Sequence, residues 1–209
     1  MQAVILAGGP LTDYTMVRVP ADALLICADR GVRYAEQLGL HPDVMLGDFD
    51  SYGSIPAGEA VQVYPKEKDD TDLMLACRYA VQKGVKSVSI YGGLGGRLDH
   101  TIANLQALRW LAEHGVWAEL LSENNRACLQ FPGTRQYPRR AGWNFSLFAM
   151  TEQCILTTTG VQYPLTHGTL QANFPLGISN SILQESASVT VEEGILQFGW
   201  KLCQDSAAC

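Results

Sequence analysis

The sequence predicts a chain of α/β class with two domains, a parallel-sheet α/β domain followed by a small all-β sandwich. Two observations carry that expectation. Up to the Pro/Arg-rich stretch at 131–140, short apolar runs alternate with helically periodic segments, and such alternation implies a parallel sheet covered by helices. Beyond it the runs are short, often alternating, and broken by Gly, Pro and Asn, as in antiparallel β structure. Charge follows the same division. Ten of the eleven aspartates lie in the first hundred residues, and Lys201 is the only basic residue after Ala141. A linker is therefore expected at 131–140, with domains 1–133 and 134–209.

In chain order, residues 3–7, 23–28, 44–46, 60–64, 85–91 and 117–121 read as buried strands. Residues 30–39, 69–84 and 98–115 carry helical periodicity. In the second of these, Leu73, Cys77, Ala80 and Val81 share one face, and Gly84 is a suitable stop. No helical pattern is legible between residues 10 and 20. After the linker, strands are expected at 145–150, 154–158, 168–170, 188–191 and 195–200, with Glu192-Glu193-Gly194 as a hairpin turn. So small and charge-poor a unit would need to cover its surface, against the first domain or a second copy.

Composition narrows the function class. With 47% apolar and 17% charged residues among 209, the chain can bury a core. Its apolar runs fall far short of the ~20 residues of a membrane helix, and the N-terminus has no basic start typical of a signal peptide. A net charge of −6 argues against nucleic acid or an anionic membrane as partner. The six cysteines show no C-x-x-C pair and no zinc spacing, so reduced thiols and a cytoplasmic location are expected.

Four acidic motifs follow expected strands: Ala28-Asp29-Arg30-Gly31, Gly47-Asp48-Phe49-Asp50-Ser51, the run from Lys66 through Lys68 to Asp72, and the Gly-rich turn from Gly92 to His100. In a parallel sheet all four loops emerge on one edge, where ligands bind. That would gather Asp48, Asp50, Asp72 and Asp99. In extended chain, residues i and i+2 face one side, so Asp48 and Asp50 would converge, and hard carboxylate oxygens suit Mg²⁺. Asp69 or Asp70 can cap the helix that follows, while Lys66 and Lys68 either neutralise a phosphate tail or are simply solvated. A Gly-rich strand-to-helix turn lets backbone amides approach an anion, and Arg97 can fork onto phosphate oxygens.

Together the motifs A-D-R-G, G-D-F-D-S, K-D-D-T-D, G-G-L-G-G-R-L-D-H-T-I-A-N and G-I-S-N resemble those of bacterial-type thiamine pyrophosphokinases. The resemblance implies an ATP- and Mg²⁺-binding catalytic α/β domain (1–133) and a thiamine-binding, dimerising β-sandwich (134–209). It implies pyrophosphoryl transfer from ATP to the thiamine hydroxyl, releasing AMP, in a homodimer with thiamine between subunits. By the same resemblance, Asp48, Asp50, Asp72 and Asp99 are the metal and transfer acids. Asp29, Gly93, Gly96, Arg97 and Asn104 fall near the nucleotide, and Tyr163, Ser179 and Asn180 near thiamine. The proton acceptor stays open between Asp72, Asp99, His100 and solvent. Lys68 stands where some relatives have Gln. Rival readings are a haloacid-dehalogenase-type phosphatase, whose D-x-D opens its domain near the N-terminus, a non-catalytic thiamine or nucleotide sensor, and a plain thiamine kinase releasing ADP.

Overall fold

The computed structural model describes residues 1–58, 60–67 and 69–203, so Lys68 and Cys209 lie outside the described residues. The chain forms two compact units, Met1–Glu123 and Asn124–Cys209.

Among the described residues, the first unit holds six parallel strands, β1 (Gln2–Leu6), β2 (Leu24–Ala28), β3 (Val44–Gly47), β4 (Val61–Val63), β5 (Ser87–Tyr91) and β6 (Trp117–Leu121). Their order across the sheet is β6-β5-β1-β2-β3-β4, every neighbouring pair parallel. Three helices connect them: α1 (Gly31–Leu38) between β2 and β3, α2 (Asp72–Gln82) between β4 and β5, and α3 (Leu98–Glu113) between β5 and β6. β1 and β2 are buried at four of their five residues, which is why they read as continuous apolar runs. The stretch between β1 and β2 forms only a single 3₁₀ turn, Tyr14–Met16, capped by Asp13. Strand order reverses at β1: β2, β3 and β4 follow on one side of it, β5 and β6 on the other. The crevice between the β1 and β5 carboxyl ends is therefore the switch point where ligands of open α/β sheets bind.

The cap of α2 differs from the expectation. Thr71, not Asp69 or Asp70, accepts the Met74 N–H at 3.1 Å, which leaves Asp70 free to fork with Arg78.

Among the described residues, the second unit holds eight strands: β7 (Asn125–Gln130), β8 (Gly133–Pro138), β9 (Trp143–Ala149), β10 (Gln153–Thr159), β11 (Gly168–Gln171), β12 (Gly177–Asn180), β13 (Ser186–Glu193) and β14 (Leu196–Leu202). They form two antiparallel layers, β12-β9-β14-β7 and β11-β10-β13-β8. Side chains join the layers: Tyr137 of β8 stacks on Phe198 of β14 with ring centroids 4.1 Å apart, and Gln130 of β7 donates to the Val189 carbonyl of β13. This is the expected sandwich.

Two expectations fail here. The stretch at 131–140 is not a linker, because residues 133–138 are β8, an edge strand with only Tyr137 buried. An edge strand with one inward residue looks, in sequence, like a polar loop. The compact units divide at Glu123/Asn124, ten residues before the expected 133/134 boundary, with β7 paired to β14 in the second unit. Nor does Glu192-Glu193-Gly194 close a hairpin. β13 pairs with β10 and β8, whereas β14 pairs with β7 and β9, so this segment crosses from one layer to the other.

Cys27, Cys77 and Cys154 are free and buried, and Cys128 is buried, whereas Cys203 is disulfide-bonded, against the expectation of reduced thiols. Burial pushes the Cys27 and Cys77 thiols up to about 12, so they pack as apolar groups rather than react. No helix among the described residues is long and apolar enough to cross a membrane.

Candidate active site

The site is assembled at the carboxyl ends of the first unit's strands. A cavity of about 490 Å³ opens there, lined by the turn after β1 (Gly8, Gly9, Pro10), the end of β2 (Asp29, Arg30), Lys66, the start of α2 (Asp70, Thr71, Asp72), and the Gly-rich turn with His100 and Asn104. The two glycine turns touch. The Gly9 N–H donates to the Gly92 carbonyl at 2.9 Å, and a Cβ on Gly9 would lie 2.3 Å from that oxygen, so no side chain fits. The Gly-rich turn is held by Asn104, whose Nδ2 donates to the Gly93 carbonyl at 2.7 Å. Gly96 lies at φ +73°, a left-handed conformation that a Cβ disfavours, and packs beside the Pro10 ring.

Among the described residues, the carboxylates that converge are Asp29, Asp48 and Asp50, with one oxygen from each lying within 4.8 Å of the others. Asp29 is buried, Asp48 half-buried and Asp50 exposed. Asp29 belongs to this cluster although its motif pointed to the nucleotide. The reason is register: parallel pairing of β2 with β3 sets Ala28 beside Leu46, and the Asp29 N–H donates to the Leu46 carbonyl. Two adjacent strands that both end in an aspartate are the signal by which sequence could have found it. Asp72 is close by, its Oδ1 and the Asp29 Cα each 3.2 Å from where a Cβ on Gly47 would sit.

The D-x-D geometry is not the extended one expected from spacing. Phe49 lies at φ +58°, and the Asp48 Oδ1 accepts the Asp50 N–H at 3.0 Å, so the segment is a tight turn. Its two acids converge because the Phe49 ring is driven into the core, where it is 2% exposed among Leu25, Cys27 and Val32.

Asp99 is not drawn into the cluster. It starts α3 after β5, three strands from β3, a separation of about 14 Å at ordinary strand spacing. Its carboxylate instead holds Arg97 through two bonds, Nε to Oδ1 at 3.1 Å and Nη2 to Oδ2 at 2.6 Å. The Arg97 guanidinium keeps the Asp99 carboxyl below the usual carboxylate range. Lys66 lies 2.8 Å from Asp50 and, as the largest cause, lowers its pKa.

Two residues bracing the β1 turn carry no sequence signal. Tyr34, on α1, donates its hydroxyl to the Gly9 carbonyl at 2.7 Å. Glu123, after β6, accepts through Oε1 from the Thr12 N–H at 2.9 Å, from the Thr12 hydroxyl and from the Asp13 N–H. Both act through backbone positions more than twenty residues away, which no local motif can encode.

In the second unit, Asn180 is buried and clamps the backbone of Tyr163. The Tyr163 N–H donates to the Asn180 Oδ1 at 3.1 Å, and the Asn180 Nδ2 donates to the Tyr163 carbonyl at 2.9 Å. The clamp leaves the Tyr163 side chain 61% exposed. Ser179 sits at φ +58° and donates its N–H to the Ser146 hydroxyl. Trp143 lies against the Arg126 guanidinium within this unit.

A doubly wound sheet with glycine turns at its switch point and converging carboxylates beside them defines the class: a nucleotide-type α/β enzyme site joined in one chain to a β-sandwich. Comparison with known proteins agrees over most of the chain. Residues 19–118 match the family model of the thiamin pyrophosphokinase catalytic domain, and residues 135–196 that of the thiamin pyrophosphokinase vitamin B1 binding domain. A thiamine pyrophosphokinase of Bacillus subtilis is 31% identical over 206 residues, covering 92% of this chain and 94% of that one. A crystal structure of the Bacillus subtilis enzyme superposes with a TM-score of 0.88 at 27% identity, covering 98% of this chain and all of that one. One from Geobacillus thermodenitrificans gives 0.85 at 30% identity, with both chains fully covered. The chain belongs to the thiamin pyrophosphokinase family, and so to the diphosphotransferases.

Proposed function

We infer that the chain transfers the pyrophosphoryl group of ATP to the hydroxyl of thiamine, giving thiamine diphosphate and AMP, with Mg²⁺ on the strand-end carboxylates. The observation that carries this reading is the convergence of Asp29, Asp48 and Asp50 beside a cavity walled by two glycine turns. The donor set fits a hard cation. The Asp29 Oδ1 is buried with no hydrogen-bond partner, and three carboxylates this close repel one another unless a cation lies between them. Asp29, Asp48 and Asp50 would hold the ion, with Asp72 beside them. When bound, Mg²⁺ offsets negative charge on the phosphate oxygens.

The chain's own residues do the rest. Backbone amides of the turns after β1 and β5 receive the nucleotide phosphates, and Arg97 turns its guanidinium from Asp99 to the tail. The thiamine oxygen attacks the β-phosphorus, the bond to the α-phosphate oxygen breaks, and AMP leaves. Most of the rate comes from holding that oxygen in line with the leaving group. Of the candidate proton acceptors, Asp72 and His100 line the cavity and Asp99 does not, so the hydroxyl proton passes to Asp72 or His100.

The second unit binds thiamine, with Tyr163 offering its exposed face to the cationic ring. It also forms a homodimer that completes the thiamine site between subunits. Exposed apolar side chains at Phe174, Leu176, Ile178 and Leu183, together with the free edge of β12, support that reading.

The test is a chromatographic assay of purified protein with thiamine, ATP and Mg²⁺, repeated without thiamine and with EDTA. Equal amounts of AMP and thiamine diphosphate, formed only with metal, are expected. ADP would indicate a plain kinase, phosphate released without thiamine a phosphatase, and binding without product a sensor.

A further inference from the structure

Among the described residues, three cation–carboxylate pairs each place one member on the cavity wall, Lys66, Asp70 and Arg97, and they are not alike. Arg97 holds Asp99 by two bonds, and Arg78 holds Asp70 by two. Lys66 holds Asp50 by a single contact at 2.8 Å, with 77% of its side chain exposed. The lysine is held there by charge: the crowded carboxylates attract it, Asp48 adding its field to that of Asp50. Lys66 also lines the cavity that faces the two glycine turns. One flexible ammonium thus reaches both the acidic cluster and the space assigned above to the phosphates.

We propose that Lys66 is an exchangeable resident cation: it neutralises Asp50 in the free enzyme, and moves to the phosphate tail when a divalent ion takes Asp50. The proposal rests on the metal reading given above. The residue type suits the task. An ammonium is a compact point charge on a four-carbon stem and can leave a carboxylate by breaking one contact, whereas a guanidinium fork must break two. The exchange sets two effects of opposite sign. Lys66 competes with the divalent ion in the absence of nucleotide, yet strengthens nucleotide binding once the ion is present. A lysine with a merely structural role would weaken both or neither.

The experiment measures Mn²⁺ binding to the full-length protein without nucleotide, from the free-ion electron paramagnetic resonance signal, in wild type, Lys66→Gln, Lys66→Arg and Asp50→Asn. ATP affinity at saturating Mg²⁺ follows for the same variants. Lys66→Gln should bind Mn²⁺ about two- to five-fold more tightly, the range of an exposed ion pair, and ATP more weakly by a similar factor. Lys66→Arg should bind Mn²⁺ no more tightly than wild type, and Asp50→Asn at least tenfold more weakly. Unchanged or weaker Mn²⁺ binding by Lys66→Gln would overturn the exchange, as would a gain shared by Lys66→Arg. If Asp50→Asn loses Mn²⁺ while Lys66→Gln matches wild type, the exchange alone fails. If Asp50→Asn binds Mn²⁺ like wild type, the metal reading fails with it.

Discussion

Phe49 joins the acidic cluster to the core, and its truncation tests whether that cluster is shaped by packing. Phe49 is 2% exposed, in the core cluster that includes Leu25, Cys27 and Val32, and its backbone sits at φ +58° between Asp48 and Asp50. Phe49→Ala removes a fully buried ring, for which a loss of about 3–5 kcal/mol is usual. Phe49→Leu keeps most of the volume and should cost less than about 1.5 kcal/mol. The left-handed backbone adds a second signature. An L-residue there carries strain of roughly 1–2 kcal/mol that glycine avoids, set against a glycine chain-entropy penalty of roughly 0.5–1 kcal/mol. Phe49→Gly should therefore be at least as stable as Phe49→Ala, reversing the usual order. Urea unfolding followed by helical circular dichroism reads this directly, because α1, α2 and α3 all lie in the first unit. Mn²⁺ binding should weaken in Phe49→Ala as Asp48 and Asp50 lose their shared anchor. A loss under about 1 kcal/mol, or undiminished Mn²⁺ affinity, would refute the reasoning.

Other substitutions probe the remaining parts of the site. Asp29→Asn should lower turnover at least a hundredfold (a loss of about 2.7 kcal/mol in transition-state stabilisation), yet raise the melting temperature in EDTA by removing a buried charge beside two others; a lower melting temperature would contradict this. The Thr12 hydroxyl and the Asp13 amide hold the Glu123 carboxyl below its usual range. Its contribution to stability is therefore full above the ordinary glutamate range, about 4.3, and is lost as pH falls through the lowered folded value. Wild type and Glu123→Gln should differ in urea midpoint by a constant amount from pH 5 to 8 and converge in stronger acid, and a difference growing toward pH 8 would count against the clasp. Tyr163→Ala should raise the KM for thiamine roughly three- to thirtyfold, the worth of a cation–π contact, with kcat little changed. Mixing Tyr163→Ala with Asp50→Asn should restore activity in hybrid dimers, and no recovery despite subunit exchange would argue against a shared site.

The parallel sheet was legible because β1 and β2 are almost wholly buried and so appear as unbroken apolar runs. β8 was not, because an edge strand with only Tyr137 inward has the composition of a loop. The same limit applies at Gly194, where local turn chemistry cannot tell a hairpin from a crossing between layers. In the site, each acid could be placed after its strand, but the grouping depended on strand order. Lateral pairing brings Asp29 of β2 beside Asp48 after β3, and two intervening strands separate the latter from Asp99 after β5. Spacing alone weighted these aspartates alike. It also suggested an extended D-x-D, where the burial of Phe49 makes a turn. Tyr34 and Glu123 were beyond reach, since each acts through a hydrogen bond to distant backbone.

In the proposed reaction the β- and γ-phosphates leave ATP together. ATP labelled in its β-phosphate, incubated with thiamine, Mg²⁺ and the purified enzyme, tests this most directly. Label is expected in thiamine diphosphate, one equivalent per AMP formed, with none in ADP. Label retained in ADP, even with thiamine diphosphate accumulating, would mean successive single-phosphate transfers and would contradict the proposed reaction.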